Sequence, residues 1–273
     1  MLSARHIPVL MYHHISHCPG LVTISPETFR EQMKWLSENN WRTVTSAELE
    51  SFYRGEKIPR KSVMITFDDG YLDNWFQAWP VLKEYNLHAH IFLITSLIGE
   101  GAVRDVQQRE YSHQECEQLI AEHRSDDVML RWSEIREMSE SGLVEFHVHT
   151  HSHKRWDKVS ALRTEQCRYM RDDILEGKKC LTEKFGYCSA HLCWPEGYYN
   201  KDYIDTAREL GFSFLYTTER RMNSYVNGPF RIGRISTKER EHSGWLKRRL
   251  FYYTTPVFSS LLALHKGPRL PDN

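Results

Sequence analysis

The chain has no Cys-x-x-Cys pair: its six cysteines stand at positions 18, 116, 167, 180, 188 and 193. That spacing supports neither a structural zinc cluster nor a pattern of disulfides. No run approaches the roughly 20 apolar residues that span a bilayer. The segment from Met1 to His6 lacks the apolar stretch of a secretory signal, so the expectation is a cytoplasmic protein with free thiols. Neither sign of charge is in excess, with 36 Lys and Arg against 36 Asp and Glu. This excludes a general attraction to nucleic acid. No repeat, low-complexity tract or linker divides the 273 residues, and one large domain is the simplest reading.

What is present is an alternation of two patterns. Strand-like segments occupy 8–12, 63–67, 89–95, 144–149, 192–194 and 214–217. Helical patterns lie between them at 26–39, 74–85, 133–141, 162–185 and 201–210, with Ser133 placed as an N-cap. Such alternation predicts parallel βαβ units. The stretch 99–131 is charged and irregular, and reads as an elaboration over the site or on the surface.

Two short clusters carry the chemistry. The apolar run Val63-Met64-Ile65 ends in Thr66-Phe67-Asp68-Asp69-Gly70. Successive strand side chains point to opposite faces, so one Asp can face a metal while its neighbour reaches a bound water. Gly70 permits the tight turn, and a cation offsets the repulsion between the carboxylates. Asp-Asp-Gly is also a common turn, and alone it leaves both readings open. In 144–149, Val144, Phe146 and Val148 alternate with Glu145, His147 and His149, predicting a half-buried strand with the apolar set inward. If the chain then turns helically, His149 and His153 share one side at i, i+4, and His151 points elsewhere. Two imidazoles and a carboxylate suit a divalent ion with an open position, the minimum for metal-assisted hydrolysis. Chemistry placed after strands fits the C-terminal rim of a barrel.

These clusters resemble the motifs of the polysaccharide deacetylase family, carbohydrate esterases that remove acetyl groups from amino sugars. The resemblance covers most of the chain, beginning at Ile7-Pro8-Val9-Leu10-Met11-Tyr12-His13. It implies Asp68 as catalytic base, and Asp69, His149 and His153 as ligands of a divalent metal, Zn²⁺ ahead of Co²⁺, Ni²⁺ or Fe²⁺. It also implies a distorted α/β barrel of about seven parallel strands, with the catalytic domain over 1–242. The family's third motif, Arg-x-Pro-Tyr-Gly followed by Tyr or Asn, corresponds to Cys193-Trp194-Pro195-Glu196-Gly197-Tyr198-Tyr199-Asn200. Glu196 then lends a backbone N–H to the oxyanion. Trp194, Tyr198 and Tyr199 suit either the apolar face of a sugar or ordinary packing and turn positions. Two departures stand out. Cys193 replaces the Arg that orients the base. Arg231-Ile232-Gly233-Arg234-Ile235 stands where the late Leu-x-His motif, source of the usual general acid, would be. Both losses together resemble a branch acting on bacterial surface glycans, and leave His13, His14 and His147 as candidates for the acid or a supporting role.

The C-terminal segment differs in kind. Residues 231–273 hold nine Lys or Arg and three Asp or Glu, a net of +6. Within 243–273, Trp245-Leu246-Lys247-Arg248-Arg249-Leu250-Phe251-Tyr252-Tyr253 mixes cations with aromatics, followed by the apolar run 257–264. This suits either a peripheral element on anionic lipid at the inner membrane or a helix packed on the barrel. On the membrane reading the substrate is a lipid-linked glycan precursor or nascent lipopolysaccharide. The activity expected is hydrolysis of an N-acetyl group from an amino sugar of a bacterial envelope glycan. The alternatives are a deformylase or O-acetyl esterase on a related glycan, and an inactive glycan-binding or membrane-associated protein.

Overall fold

Seven parallel strands form the centre of the protein: β1 (Val9–Tyr12), β2 (Ser62–Phe67), β3 (Ala89–Leu93), β4 (Val144–Val148), β5 (His191–Cys193), β6 (Phe214–Tyr216) and β7 (Ile235–Ser236). They pair in the order β7-β1-β2-β3-β4-β5-β6. The computed structural model describes residues 3–105, 108–237, 242–255 and 269–270. The sheet curls, and one late stretch reaches both of its edges. Ile232 exchanges backbone hydrogen bonds with Leu215 and Thr217 beyond β6, while Ile235 pairs with Leu10 of β1. The expected distorted barrel of seven strands is therefore present. Its last strand, two residues long, has no periodicity for a sequence to show.

Both faces of the sheet are buried. Leu10, Ile65, Ile91, Leu93 and Val148 face the helical layer; Val9, Met64, Phe92 and Tyr216 fill the barrel interior. This corrects the expectation for β4. Its apolar residues Val144, Phe146 and Val148 face the helices, and its polar set, with His147 buried, faces the lumen instead of solvent.

The helical layer comprises α1 (Pro26–Glu38), α2 (Ser46–Tyr53), α3 (Trp79–Tyr85), α4 (His113–Ala121), α5 (Trp132–Glu140), α6 (Arg163–Phe185), α7 (Lys201–Glu209) and α8 (Ser243–Thr254). In α1 the Ser25 hydroxyl accepts the Thr28 N–H, and Phe29, Met33 and Leu36 form the buried stripe. The pattern at 74–85 divides at Pro80, which has no N–H to donate: a wide π turn over Asn74–Ala78 precedes α3. Ser133 is not a cap. The helix begins one residue earlier, where the Glu134 carboxylate accepts the Arg131 N–H at 2.8 Å.

Over α8 the C-terminal segment packs on the barrel. Leu246, Leu250 and Tyr253 join the main core, and Ser243 hydrogen-bonds Glu31 of α1. The run 257–264 lies outside the described residues, among which no helix is long and apolar enough to cross a membrane. Leu250 is completely buried, so Leu250→Ala should cost about 2–5 kcal/mol, measured by denaturant unfolding.

Candidate active site

β2 carries the two carboxylates into the site. The Asp68 N–H still donates to Tyr12 O at 3.0 Å, and the backbone then turns at Asp69 (φ 73°) and Gly70 (φ 88°). A Cβ at position 70 would lie 2.7 Å from Leu93 Cδ2, which requires glycine there. The turn sends the two acids to different partners.

Asp69 faces the loop that follows β4. Its Oδ1 lies 3.4 Å from His149 Nε2 and 3.7 Å from His153 Nε2, is buried, and makes no hydrogen bond. His149 Nδ1 lies 2.9 Å from Cys193 O. Donation to that carbonyl fixes the tautomer and leaves the Nε2 lone pair facing Asp69. An unpartnered buried carboxylate oxygen between two imidazole nitrogens fits the donor set of a divalent cation. Burial disfavours charge on Asp69, yet the neighbouring imidazoles of His149, His153 and His13 hold its pKa far below the ordinary carboxylate range. Burial and His149 lower His153 to about 4. His149 itself, against the effect of burial, is raised well above the ordinary imidazole range by Cys193 and Asp69, so an ion there would displace a proton from its Nε2.

The backbone here is held in an uncommon conformation. Asp69, Thr150, His153 and Glu196 have φ of 73°, 60°, 56° and 51°, each costing about 1–3 kcal/mol for a residue with a Cβ. Asp173 of α6 supplies part of the restraint. Its Oδ1 accepts the N–H groups of His151 (3.1 Å) and Ser152 (2.7 Å), and its Oδ2 accepts the Trp156 indole N–H at 3.0 Å. Gly177 lets α6 approach this loop, since a Cβ would lie 3.0 Å from Val148 Cγ1 and 3.2 Å from the Thr150 carbonyl carbon. Asp173→Ala should weaken metal retention and lower kcat/KM by about 10-fold or more. Metal content after dialysis, with rates restored at saturating metal, checks this.

Asp68 is clamped by Arg234. The guanidinium makes two parallel bonds, Nη1 to Oδ1 at 2.6 Å and Nη2 to Oδ2 at 2.7 Å, and its Nε–H donates to Thr217 O at 3.0 Å. Burial raises the Asp68 pKa, and Arg234 overrides it, keeping the acid ionised. The Arg missing at position 193 is thus supplied by the residue just before β7. Cys193 packs its sulfur 3.8 and 3.9 Å from the Asp68 oxygens and 3.0 Å from Arg234 Nη2. Asp68, His149 and Cys193 also lie within metal-ligand reach of one another, but the Arg234 cation bonded to Asp68 would repel a second cation there.

Of His13, His14 and His147, only the first lines the cleft. His13, after β1, lines the cleft with Nε2 3.7 Å from Asp68 Oδ2, and burial lowers its pKa. His14 is buried behind it, 2.7 Å from Asp73 Oδ2 and 3.3 Å from His113 Nδ1. His147 sits deeper in the barrel, bonded to Ser189 Oγ at 2.7 Å. The aromatic expectation also changes. Trp194 and Tyr199 are completely buried in the core, stacked at 6.2 Å, because the turn at Pro195 points them inward. Tyr198 lies under the Arg155 guanidinium, 3.2 Å from its ring centroid. Glu196 lines the cleft, its carboxylate drawn 2.8 Å from Arg155 Nη1. The cleft, of about 660 Å³, is walled on its far side by Leu97, His113, Glu117 and Ile120. The irregular stretch 99–131 thus covers the site through α4. The sequence offered no signal for Asp173, and for Arg234 only the absence of the expected motif.

Comparison with known proteins agrees with this geometry. The family model described as polysaccharide deacetylase matches residues 55–215. YxkH of Bacillus subtilis is 30% identical over 230 residues, covering 84% of this chain and 70% of that protein. The poly-β-1,6-N-acetyl-D-glucosamine N-deacetylase of Staphylococcus aureus is 24% identical, covering 83% of this chain and 71% of that protein. The fold matches the Streptococcus pyogenes deacetylase PplD in complex with acetate, with a TM-score of 0.75 and 21% identity over 93% of this chain and 100% of that one. It also matches IcaB from Ammonifex degensii, with a TM-score of 0.73 and 25% identity over 93% and 99%. With its acid pair, its two-histidine loop and its barrel in place, the chain belongs to the polysaccharide deacetylase family.

Proposed function

We propose that this protein is a metal-dependent hydrolase that removes N-acetyl groups from the amino sugars of a polymeric bacterial envelope glycan, leaving acetate and free amines. One observation carries the reading: an ionised, Arg234-clamped Asp68 shares a cleft with the Asp69, His149 and His153 ligand set. The names of its relatives support a poly-N-acetylglucosamine-type chain as substrate. A lipid-linked or lipopolysaccharide precursor is a narrower version of the same proposal, supported by the cationic C-terminal segment.

Asp69, His149 and His153 would hold the ion, and Zn²⁺ suits two imidazoles and a carboxylate. A divalent cation there supplies Lewis acidity toward the acyl oxygen and acidifies water. Asp68 takes the proton of the attacking water. Arg234 fixes the direction of that carboxylate and keeps it ionised, while the cleft-facing side of Asp68 remains open toward His13. The proton that Asp68 takes is available to return to the departing nitrogen, with His13, 3.7 Å from Asp68 Oδ2, beside that path. Glu196 lines the same cleft, and its backbone N–H would serve as the donor to the developing oxyanion, a role its side chain does not affect.

Acetate release from poly-β-1,6-N-acetylglucosamine and from a lipid-linked N-acetylhexosamine, compared with Asp68→Asn, tests the proposal. Release by the wild type alone supports it, and the preferred substrate decides between polymer and precursor. Equal release by the variant, or none from any N-acetylated glycan with metal bound, refutes it. Formate from an N-formyl substrate would reassign the acyl group.

A further inference from the structure

The barrel end opposite the active site holds a second cluster of metal-ligating side chains that deacetylation does not use. β3 and β4 pair with His90 directly opposite Glu145. Strand alternation puts His88 beside His90, and His147 beside Glu145, on the same face. His88 Nε2 lies 2.9 Å from Glu145 Oε1, and His90 Nδ1 lies 3.9 Å from Glu145 Oε2. One ligand atom from each of the three falls within 4.8 Å of the others. His147 Nε2 stands alongside, 3.0 Å from His90 Nδ1 and 4.0 Å from Glu145 Oε2.

Two features set this cluster apart from an ordinary polar core. His90 Nε2 lies 2.8 Å from Val44 O. Donation to that carbonyl leaves Nδ1 as a lone pair aimed at His147 and Glu145. The other feature is His88, only 9% exposed, whose Nε2 lies 2.9 Å from Glu145 Oε1 without an aligned hydrogen bond. His147 Nε2 is shared between His90 Nδ1 at 3.0 Å and Ser46 Oγ at 3.3 Å. Unaligned ligand atoms at such separations are what an ion between them would account for. The Glu145 carboxylate is itself oriented by the Ser46 N–H, 3.2 and 3.3 Å from its two oxygens. His88 also lines an open depression of about 500 Å³, which gives an ion a path from solvent.

We propose that His88, His90 and Glu145 form a second divalent-cation site, of the nitrogen–oxygen class that takes Zn²⁺, Co²⁺ or Ni²⁺. It ties β3 to β4 at the N-terminal end of the barrel, and its role is structural. The test is metal content after zinc loading and desalting. The wild type should carry two equivalents, Asp69→Ala one, His88→Ala one, and Asp69→Ala/His88→Ala none. His88→Ala should retain the wild-type deacetylation rate. Added zinc should raise the melting temperature of Asp69→Ala but not of the double variant. Glu145→Gln, which preserves volume, replaces His88→Ala if that chain does not fold. A wild-type content of one that vanishes in Asp69→Ala overturns the proposal and leaves the active site intact. A second equivalent that persists through both His88→Ala and Glu145→Gln also overturns it.

Discussion

Arg234→Met is expected to lower kcat/KM by about 10²-fold or more, the scale of a positioned general base, and to move the acid limb of the pH–rate profile upward. The guanidinium is completely buried and is held by two bonds to Asp68 and one to Thr217 O. Without it, Asp68 is a carboxylate in a buried site, where desolvation raises its pKa. A larger share of the base is then protonated at any given acid pH. Stability should fall by about 3–5 kcal/mol, the scale for breaking a buried pair by removing one partner. The sign of its pH dependence follows from the direction of the shift. The folded pKa of Asp68 is depressed, so the pair's stabilisation is present above the unfolded value and disappears as pH falls through the folded one. The deficit of the variant should therefore be full at neutral pH and shrink in acid. Arg234→Lys restores a charge without the two-pronged fork and should recover only part of the rate. Unfolding by urea at two pH values, beside the pH–rate profile, reads both effects. An unmoved acid limb in Arg234→Met would mean that Arg234 does not set the charge of Asp68.

Asp68→Asn and Asp69→Ala should separate chemistry from metal. Asn at position 68 keeps the shape of the side chain and removes its basicity, so metal should stay bound while turnover falls by about 10²–10⁴-fold. Ala at position 69 removes the carboxylate lying 3.4 Å from His149 Nε2 and 3.7 Å from His153 Nε2. The two imidazoles then face each other without a charge-balancing ligand, and the chain should lose one equivalent of metal together with its activity. Metal analysis beside turnover distinguishes the two. Normal turnover in Asp68→Asn would remove it as the base, and undiminished metal in a folded Asp69→Ala would remove it as a ligand.

The parts of the protein legible in advance are those whose signal is local. β2 and β3 read as short apolar runs. α1 shows its stripe at Phe29, Met33 and Leu36 behind a serine cap, and α6 is long enough for its period to register. The acid pair and the histidine pair are equally local, since each is positioned by a turn within a few residues of a strand end. Short elements were less visible. α2 carries a complete capping box, with Thr45 and Glu48 satisfying each other's backbone N–H, but its eight residues show little apolar periodicity. β7 is identifiable only through the strand beside it. For the aromatics after β5 the sequence leaves a sugar platform and ordinary packing equally open, because chain position says nothing of side-chain direction next to a proline.

By itself, the order of residues determined the alternation of strands and helices, and the placing of Asp68, Asp69, His149 and His153 at strand ends, because backbone period and turn geometry act over a few residues. The tertiary structure alone decided which distant charge would meet the base. Arg234 reaches Asp68 across 166 residues of sequence. Their pairing depends on the sheet curling until β7 lies beside β1, where burial makes an uncompensated carboxylate too costly to leave alone.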